Sequence, residues 1–307
     1  MKKIGILFQI GNYAIWNKMK EFIDHFNGFN YILFIDFNYN IISKEDQIYM
    51  INFYKEKNIV FHLTERMNRG MDICGFFNQI EYIIKNKIEL DYILKIHTKS
   101  NNNWRSSLVE PICGSKETIS KCLDLFENEE IGQISAEKWL KLMDHFNTPV
   151  IIEELKRFGI ENTFIDEIDW DKKYKNIYDL DFFDPVFYLK YPYNGIFFKE
   201  DLENDIEKFK SFSIFHWLQI GSEKFKFVQN NNLIIKKNKH LKFSAGSIFW
   251  IKADILIDFF REYIDFNYYF GNFEKGYFNN EKPTLTHSWE RMFSIIVDFY
   301  KKKSISV

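Results

Sequence analysis

Residues 3–37 read KIGILFQIGNYAIWNKMKEFIDHFNGFNYILFIDF: an apolar run, a helix-like stretch, then a second apolar run. The order repeats downstream, with a polar helical piece from Lys44 and then NIVFHLTE at 58–65. Short apolar runs separated by helical stretches predict parallel strands joined through covering helices. A Rossmann-like α/β layer is therefore the expected architecture of the first half.

Working outward, NIVFHLTERMNRGMDICGFFNQI (58–80) sets Asn68-Arg69-Gly70 and Asp72 between a strand run and a helix with apolar positions at Ile73, Phe76, Phe77, Ile80 and Ile84. On residue type alone, Asn and Gly suit a turn and Asp72 suits a helix cap. After the helix at 71–87, LDYILKIHTKSNNNWRSSL (90–108) is a further apolar strand ending in Lys95, His97 and Lys99. Ligands of open α/β sheets sit beyond the carboxyl ends of the strands, where both groups of polar residues fall. A helix pair at about 105–127 and the strand signal IGQISA (131–136) follow. From 146 to 240 acidic and aromatic clusters replace the alternation, which reads as a mainly helical insertion. Regular signals resume with KFSAGSIFWIKADILIDFF (242–260) and close with the helix-like LTHSWERMFSIIVDFYKK (285–302).

The 307 residues, 46% hydrophobic and 27% charged, can build one large core or two small ones. A formal net charge of −2 gives no overall cationic field of the kind that drives nonspecific nucleic-acid binding. The three cysteines, Cys74, Cys113 and Cys122, form no CxxC pair and fit neither a disulfide framework nor a zinc knuckle. The opening MKKIGILFQIGNYAIWNKMK reads as a first strand rather than a signal peptide. No stretch reaches the roughly 18 apolar residues that span a bilayer. A cytoplasmic protein is expected, with peripheral recruitment to a membrane left open.

NRGMDICGFF (68–77), YILKIHTKS (92–100) with WRSSLVEPICGS (104–115), IGQISA, FSAGSIFWIKADIL (243–256) and THSWERMF (286–293) stand in this order along the chain. Together they resemble the rhamnan synthesis protein F family of polysaccharide glycosyltransferases. The likeness covers about 1–145 and 241–307. It implies a GT-A-like fold in which 1–145 binds a nucleotide-sugar at the carboxyl edge of the sheet and 241–307 completes the domain. Donor-binding residues implied by it are Gln9, Asn68, Arg69, Asp72, Lys95, His97, Lys99 and Arg105. Arginine suits phosphate because its planar fork donates two parallel charge-assisted hydrogen bonds.

Many GT-A enzymes carry a DxD motif for Mn²⁺ or Mg²⁺ where this chain has KIHTK, which holds no carboxylate. Hard divalent cations prefer oxygen ligands, so no metal ligand is assigned, and a divalent metal as cofactor stays open. Lys95, Lys99 and Arg105 are the substitutes that would neutralise a diphosphate. Gly246 and Ser247 would leave room for the transferred sugar or acceptor, and Trp250 would stack on a sugar ring or belong to the core. His287 and Glu290, three apart, share one helical face. Glu290 is the expected base for the acceptor hydroxyl and His287 its orienter or alternative; a structural Glu290–Arg291 pair is the competing role. In the insertion, FDPVFYLKYPY (183–193) and FHWLQIGSEKF (215–225) are similar to a short helical repeat that accompanies some glycosyltransferases, with an accessory or acceptor-related role and His216 and Trp217 as packing residues. The expected activity is transfer of a sugar, rhamnose among the candidates, from a nucleotide-diphosphate donor to a glycan or glycoprotein. A noncatalytic glycan-binding or scaffolding protein of the same fold is the alternative.

Overall fold

The computed structural model describes residues 2–99, 101–142, 147–160, 242–276 and 283–307. The chain divides into two units, residues 1–160 with 241–307 and residues 161–240. The described residues belong to the first. The repeat-like segments of the insertion, with His216 and Trp217, lie outside them.

Strands β1 (Lys3–Ile10), β2 (Asn30–Asn38), β3 (Phe61–Arg66) and β4 (Tyr92–His97) run parallel in the order β3-β2-β1-β4. β5 (Ile131–Ser135) precedes a two-stranded antiparallel ribbon of β6 (Leu140–Leu142) and β7 (Lys242–Ser244). The main sheet then gains β8 (Phe249–Lys252), antiparallel to both β4 and β5, and β9 (Lys303–Ser306), parallel to β5. Seven strands thus run in the order β3-β2-β1-β4-β8-β5-β9 with β8 reversed. The coarse expectation of an α/β protein with a mostly parallel sheet is met.

Ile4, Ile6, Leu7, Phe8 and Ile10 of β1 are all buried, as a central strand covered on both faces requires. At the edge, β3 is half-buried or exposed from Phe61 to Glu65 and buried only at Arg66. Helices α1 (Tyr13–Met19), α2 (Lys44–Glu56) and α3 (Met71–Lys85) follow the first three strands; α4 (Asn102–Cys113) and α5 (Lys116–Leu125) follow β4. Asn12 and Ser43 cap α1 and α2 through side-chain oxygens. Helix α6 (Thr148–Arg157), expected from the sequence to open the insertion, belongs to the first unit, where its Glu154 accepts from the Tyr269 hydroxyl. α7 (Ala253–Tyr263), α8 (Phe266–Asn272) and α9 (Leu285–Phe299) complete the described helices.

Adjacent β8 residues point to opposite layers. Phe249 packs against Phe76 of α3 and Phe293 of α9, with ring centroids at 6.3 and 5.2 Å. Trp250 turns the other way, is fully buried, and donates its indole N–H to the Ile112 carbonyl at 2.9 Å. Trp250 is therefore a core residue and not a sugar-stacking surface.

Candidate functional site

Chain order reverses between β1 and β4: β2 and β3 extend the sheet to one side of β1, and β4 starts the other. Connections leaving such a pair diverge and open a crevice at the strands' carboxyl ends. A cleft of about 670 Å³ lies there, within the range of small-ligand sites. Gln9, Gly11 and Asn12 at the end of β1 and just past it, Asn38 closing β2, Arg66 and Asn68 at and after the end of β3, and His97, Thr98 and Lys99 at and after the end of β4 all line it. Asp72 at the start of α3, Ser247 before β8, and His287 and Glu290 of α9 form the rest of its polar wall.

Asp72 does not cap α3. Gly70 holds the cap position in a left-handed conformation, φ +59°, where a Cβ would come within 2.7 Å of the Cys74 Cβ. Freed from that task, the Asp72 carboxylate accepts from Lys95 Nζ at 2.5 Å and from the Ser247 hydroxyl at 2.7 Å, and lies 3.4 Å from His97 Nδ1. Burial opposes its charge, but the pull of His97 and Lys95 and the hydrogen bonds from Lys95 and Ser247 hold its pKa below the usual carboxylate range. Burial pushes His97 itself down to about 3, against the attraction of Asp72. Burial lowers the Lys95 pKa as well, against the attraction of Asp72, and the ammonium is the group that pairs directly with the Asp72 carboxylate.

Lys95 sits two residues before His97 on the same face of β4, so it lies about 6.6 Å deeper. It is fully buried, and its ammonium also donates to the Ser247 carbonyl at 3.0 Å. Lys95 therefore supports the floor of the cleft and does not reach a bound phosphate. Arg69 also turns away: its guanidinium donates to the carbonyls of Phe270 and Gly271 at 2.9 and 2.7 Å, closing the end of α8. Around it, Gly70 N–H donates to the Glu274 carbonyl and Gly276 N–H to the Asn68 carbonyl. The Glu274 carboxylate in turn accepts the N–H groups of Leu285 and Thr286 at the start of α9. Arg105 donates to the Lys99 carbonyl at 2.9 Å and shapes the loop after β4 instead of lining the cleft. Gly246, φ +88°, is a turn residue behind the wall whose N–H donates to Glu290 Oε1.

Gln9, Asn68, Asp72, His97, Lys99, Ser247, His287 and Glu290 are thus brought together; Arg69, Lys95, Arg105, Gly246 and Trp250 are not. Lys99 and Arg66 are the cations at the cleft. Burial lowers the Lys99 pKa, while Asp72 and Glu290 raise it. Arg66 is buried against Asp36, whose other oxygen is held by Thr64 and Asn78 at 2.8 and 3.0 Å, and its Nε donates to the Met71 carbonyl at 3.2 Å. Arg66 was not singled out in the sequence, although a strand run closing in Thr-Glu-Arg was a signal for it. Glu290 Oε2 accepts from Arg291 at 2.9 Å, so the structural pair is present in a residue that also lines the cleft. Burial lowers the His287 pKa, and its Nδ1 lies 2.8 Å from the Thr284 hydroxyl.

Several buried polar atoms here have no hydrogen-bond partner: Gln9 Oε1, His97 Nδ1 and Trp104 Nε1. Such atoms are uncommon in folded proteins; the others among the described residues, on Arg69, Gln133, Ser135, Asn147 and Trp289, do not line the cleft, so these three leave hydrogen-bonding capacity free at its wall. Among the described residues no group of three His, Cys, Asp or Glu side chains is placed to hold a metal ion. Asp72 is committed to Lys95 and Ser247, and the residues present do not fit a hard divalent cation. Among the described residues no helix is long and apolar enough to cross a membrane. No protein-family model and no curated protein matches the chain.

Proposed function

We propose that this chain is a nucleotide-sugar-dependent glycosyltransferase with a GT-A-like fold, of the rhamnan synthesis F kind, working on a glycan or glycoprotein acceptor in the cytoplasm. The observation that carries the reading is the meeting of separated motif segments, NRGMD, KIHTK, SAGS and THSWE, at one cleft over the β1/β4 crevice. Asn12, Asn38 and Asn68 suit the polar edges of a nucleoside, with Ile15 and Ile41 as its apolar contacts. Arg66 and Lys99 meet the diphosphate from two sides, and their preorganised charge stabilises the negative charge that builds on the leaving group.

In the transfer the acceptor oxygen bonds to the sugar's anomeric carbon while that carbon's bond to the donor phosphate breaks. The electron pair leaves with the nucleoside diphosphate, and the acceptor's proton passes to Glu290 or His287. A neutral His287 is available as a base, whereas Glu290 must accept a proton while holding the Gly246 N–H and Arg291.

That double engagement, with Asp72 neutralised by Lys95, favours the second reading: a glycan-binding protein of the same fold without turnover. A thermal-shift screen of nucleotides and nucleotide-sugars decides between them. A ligand at about a hundred times its dissociation constant stabilises by roughly 2.7 kcal/mol, and a shift with one nucleotide class, followed by sugar release or transfer, is the expected result. Activity persists in EDTA on this reading. Absence of any nucleotide shift would sink it.

A further inference from the structure

At the edge of the cleft, next to Lys99, Trp104 of α4 packs against Trp139, with ring centroids 5.1 Å apart. Trp139 donates its indole N–H to Ser107 at 2.7 Å, and its carbonyl accepts the Ala245 N–H at 2.9 Å. Through Ala245 the ring pair is fixed to the turn carrying Ser247. Trp104 itself lines the cleft, and its indole N–H is buried without a partner. Lys99 Nζ stands 3.3 Å from the Trp104 centroid, and the ammonium groups of Lys138 and Lys141 stand 5.5 and 5.7 Å from that of Trp139. The ribbon adds Lys242, exposed opposite Leu142.

A neutral sugar would need a bare indole face to stack on. These faces already carry ammonium groups, held by the ring quadrupoles, so the platform presents positive charge above an aromatic base. We infer that the Trp104–Trp139 platform with Lys138 and Lys141 is a binding site for an anionic saccharide, one carrying carboxylates such as a uronic acid, and that it receives the acceptor beside the cleft. The word acceptor rests on the transferase reading; the binding site does not.

The test titrates the full chain calorimetrically with an oligogalacturonide, a malto-oligosaccharide of the same length and a single-stranded oligonucleotide, at low and high salt. The uronate is expected to bind with an affinity that falls as salt rises, and the neutral sugar at least about tenfold more weakly, as the loss of a few exposed ion contacts implies. Lys138→Glu with Lys141→Glu should weaken uronate binding by about tenfold or more, and the melting temperature of the same preparation shows that the variant is folded when it is titrated. Lys18→Glu with Lys55→Glu, the same charge change at exposed sites on α1 and α2, should leave it intact. Equal affinity for the neutral sugar, tighter binding of the oligonucleotide, unaltered binding by the Lys138/Lys141 variant, or no uronate binding would each overturn the inference. A nucleotide thermal shift on the same preparation separates the two claims: uronate binding without any nucleotide response supports the platform and overturns the transferase.

Discussion

Replacing Lys95 with methionine should cost far more than an isosteric change suggests, and replacing its partner as well should restore most of the loss. Lys95 is fully buried, with Nζ 2.5 Å from Asp72 Oδ2 and 3.0 Å from the Ser247 carbonyl. Methionine keeps most of the volume, so the cavity contribution is small. The remaining effect is electrostatic: Asp72 is left in the protein interior with the Ser247 hydroxyl and a neutral His97. Removing one partner of a buried pair typically costs about 3–5 kcal/mol. At roughly 2–4 °C per kcal/mol for a domain of this size, the melting temperature should fall by about 10 °C. Asp72→Asn strands the Lys95 ammonium and should cost a similar amount. The double variant, with no buried charge, should return to within about 1–2 kcal/mol of the parent, since well-packed neutral replacements of buried pairs are often near neutral. Urea denaturation of the four proteins measures the coupling. Single effects that simply add, within the roughly 0.5 kcal/mol tolerance of independent sites, would refute a functioning Asp72–Lys95 pair.

Glu290→Gln should reduce turnover by about 10²- to 10⁴-fold with the nucleotide thermal shift preserved; a lowered melting temperature with normal specific activity would assign Glu290 to the structural role of holding Gly246 and Arg291. Lys99→Ala should weaken nucleotide-diphosphate binding by about tenfold, the scale of one charge-assisted contact, measured by calorimetry, with little change in melting temperature. His97, whose folded pKa is depressed to about 3, contributes stability that is full above its unfolded value near 6.5 and is lost as pH falls from there toward 3. Melting curves between pH 7 and about pH 4.5, above the ordinary carboxylate range, should show this decline, and His97→Gln should flatten it. Gly70→Ala should destabilise by about 1–3 kcal/mol in denaturant titration, because its φ is +59° and Cys74 and Phe273 crowd the Cβ position.

The early strands were legible because β1, β2 and β4 are apolar runs bounded by turn residues, and the cleft was legible because polar residues follow those runs. Depth was not. β4 is buried along its whole length, so nothing in its pattern separates His97 at the mouth from Lys95 one pleat below. The direction of Trp250 was hidden for a related reason: with Phe249 and Ile251 also apolar, period-2 alternation cannot name the layer each faces. Arg69, expected at the cleft, turns away from it, and Arg66, for which the sequence reading made no expectation, lines it. An arginine in a glycine turn suggests a ligand contact, yet its partners are carbonyls some 200 residues away in sequence, which no local reading supplies. Arg66 is aimed by Asp36, and their pairing depends on the β2–β3 register, Asp36 opposite Thr64 and Asn38 opposite Arg66.

The stitching of residues 68–70 to residues 270–276, and of Glu274 to the head of α9, means that one wall of the cleft is hung from the other. A laboratory selection for activity would therefore score Arg69 and Glu274 among the least replaceable positions, although neither faces the space where a substrate would lie. Coevolution would follow the same line. On the transferase reading, a chain that altered its 68–72 loop to suit a new donor would carry the change across to α9, so that donor preference and the geometry of the proposed proton acceptor would drift together and not as separable traits.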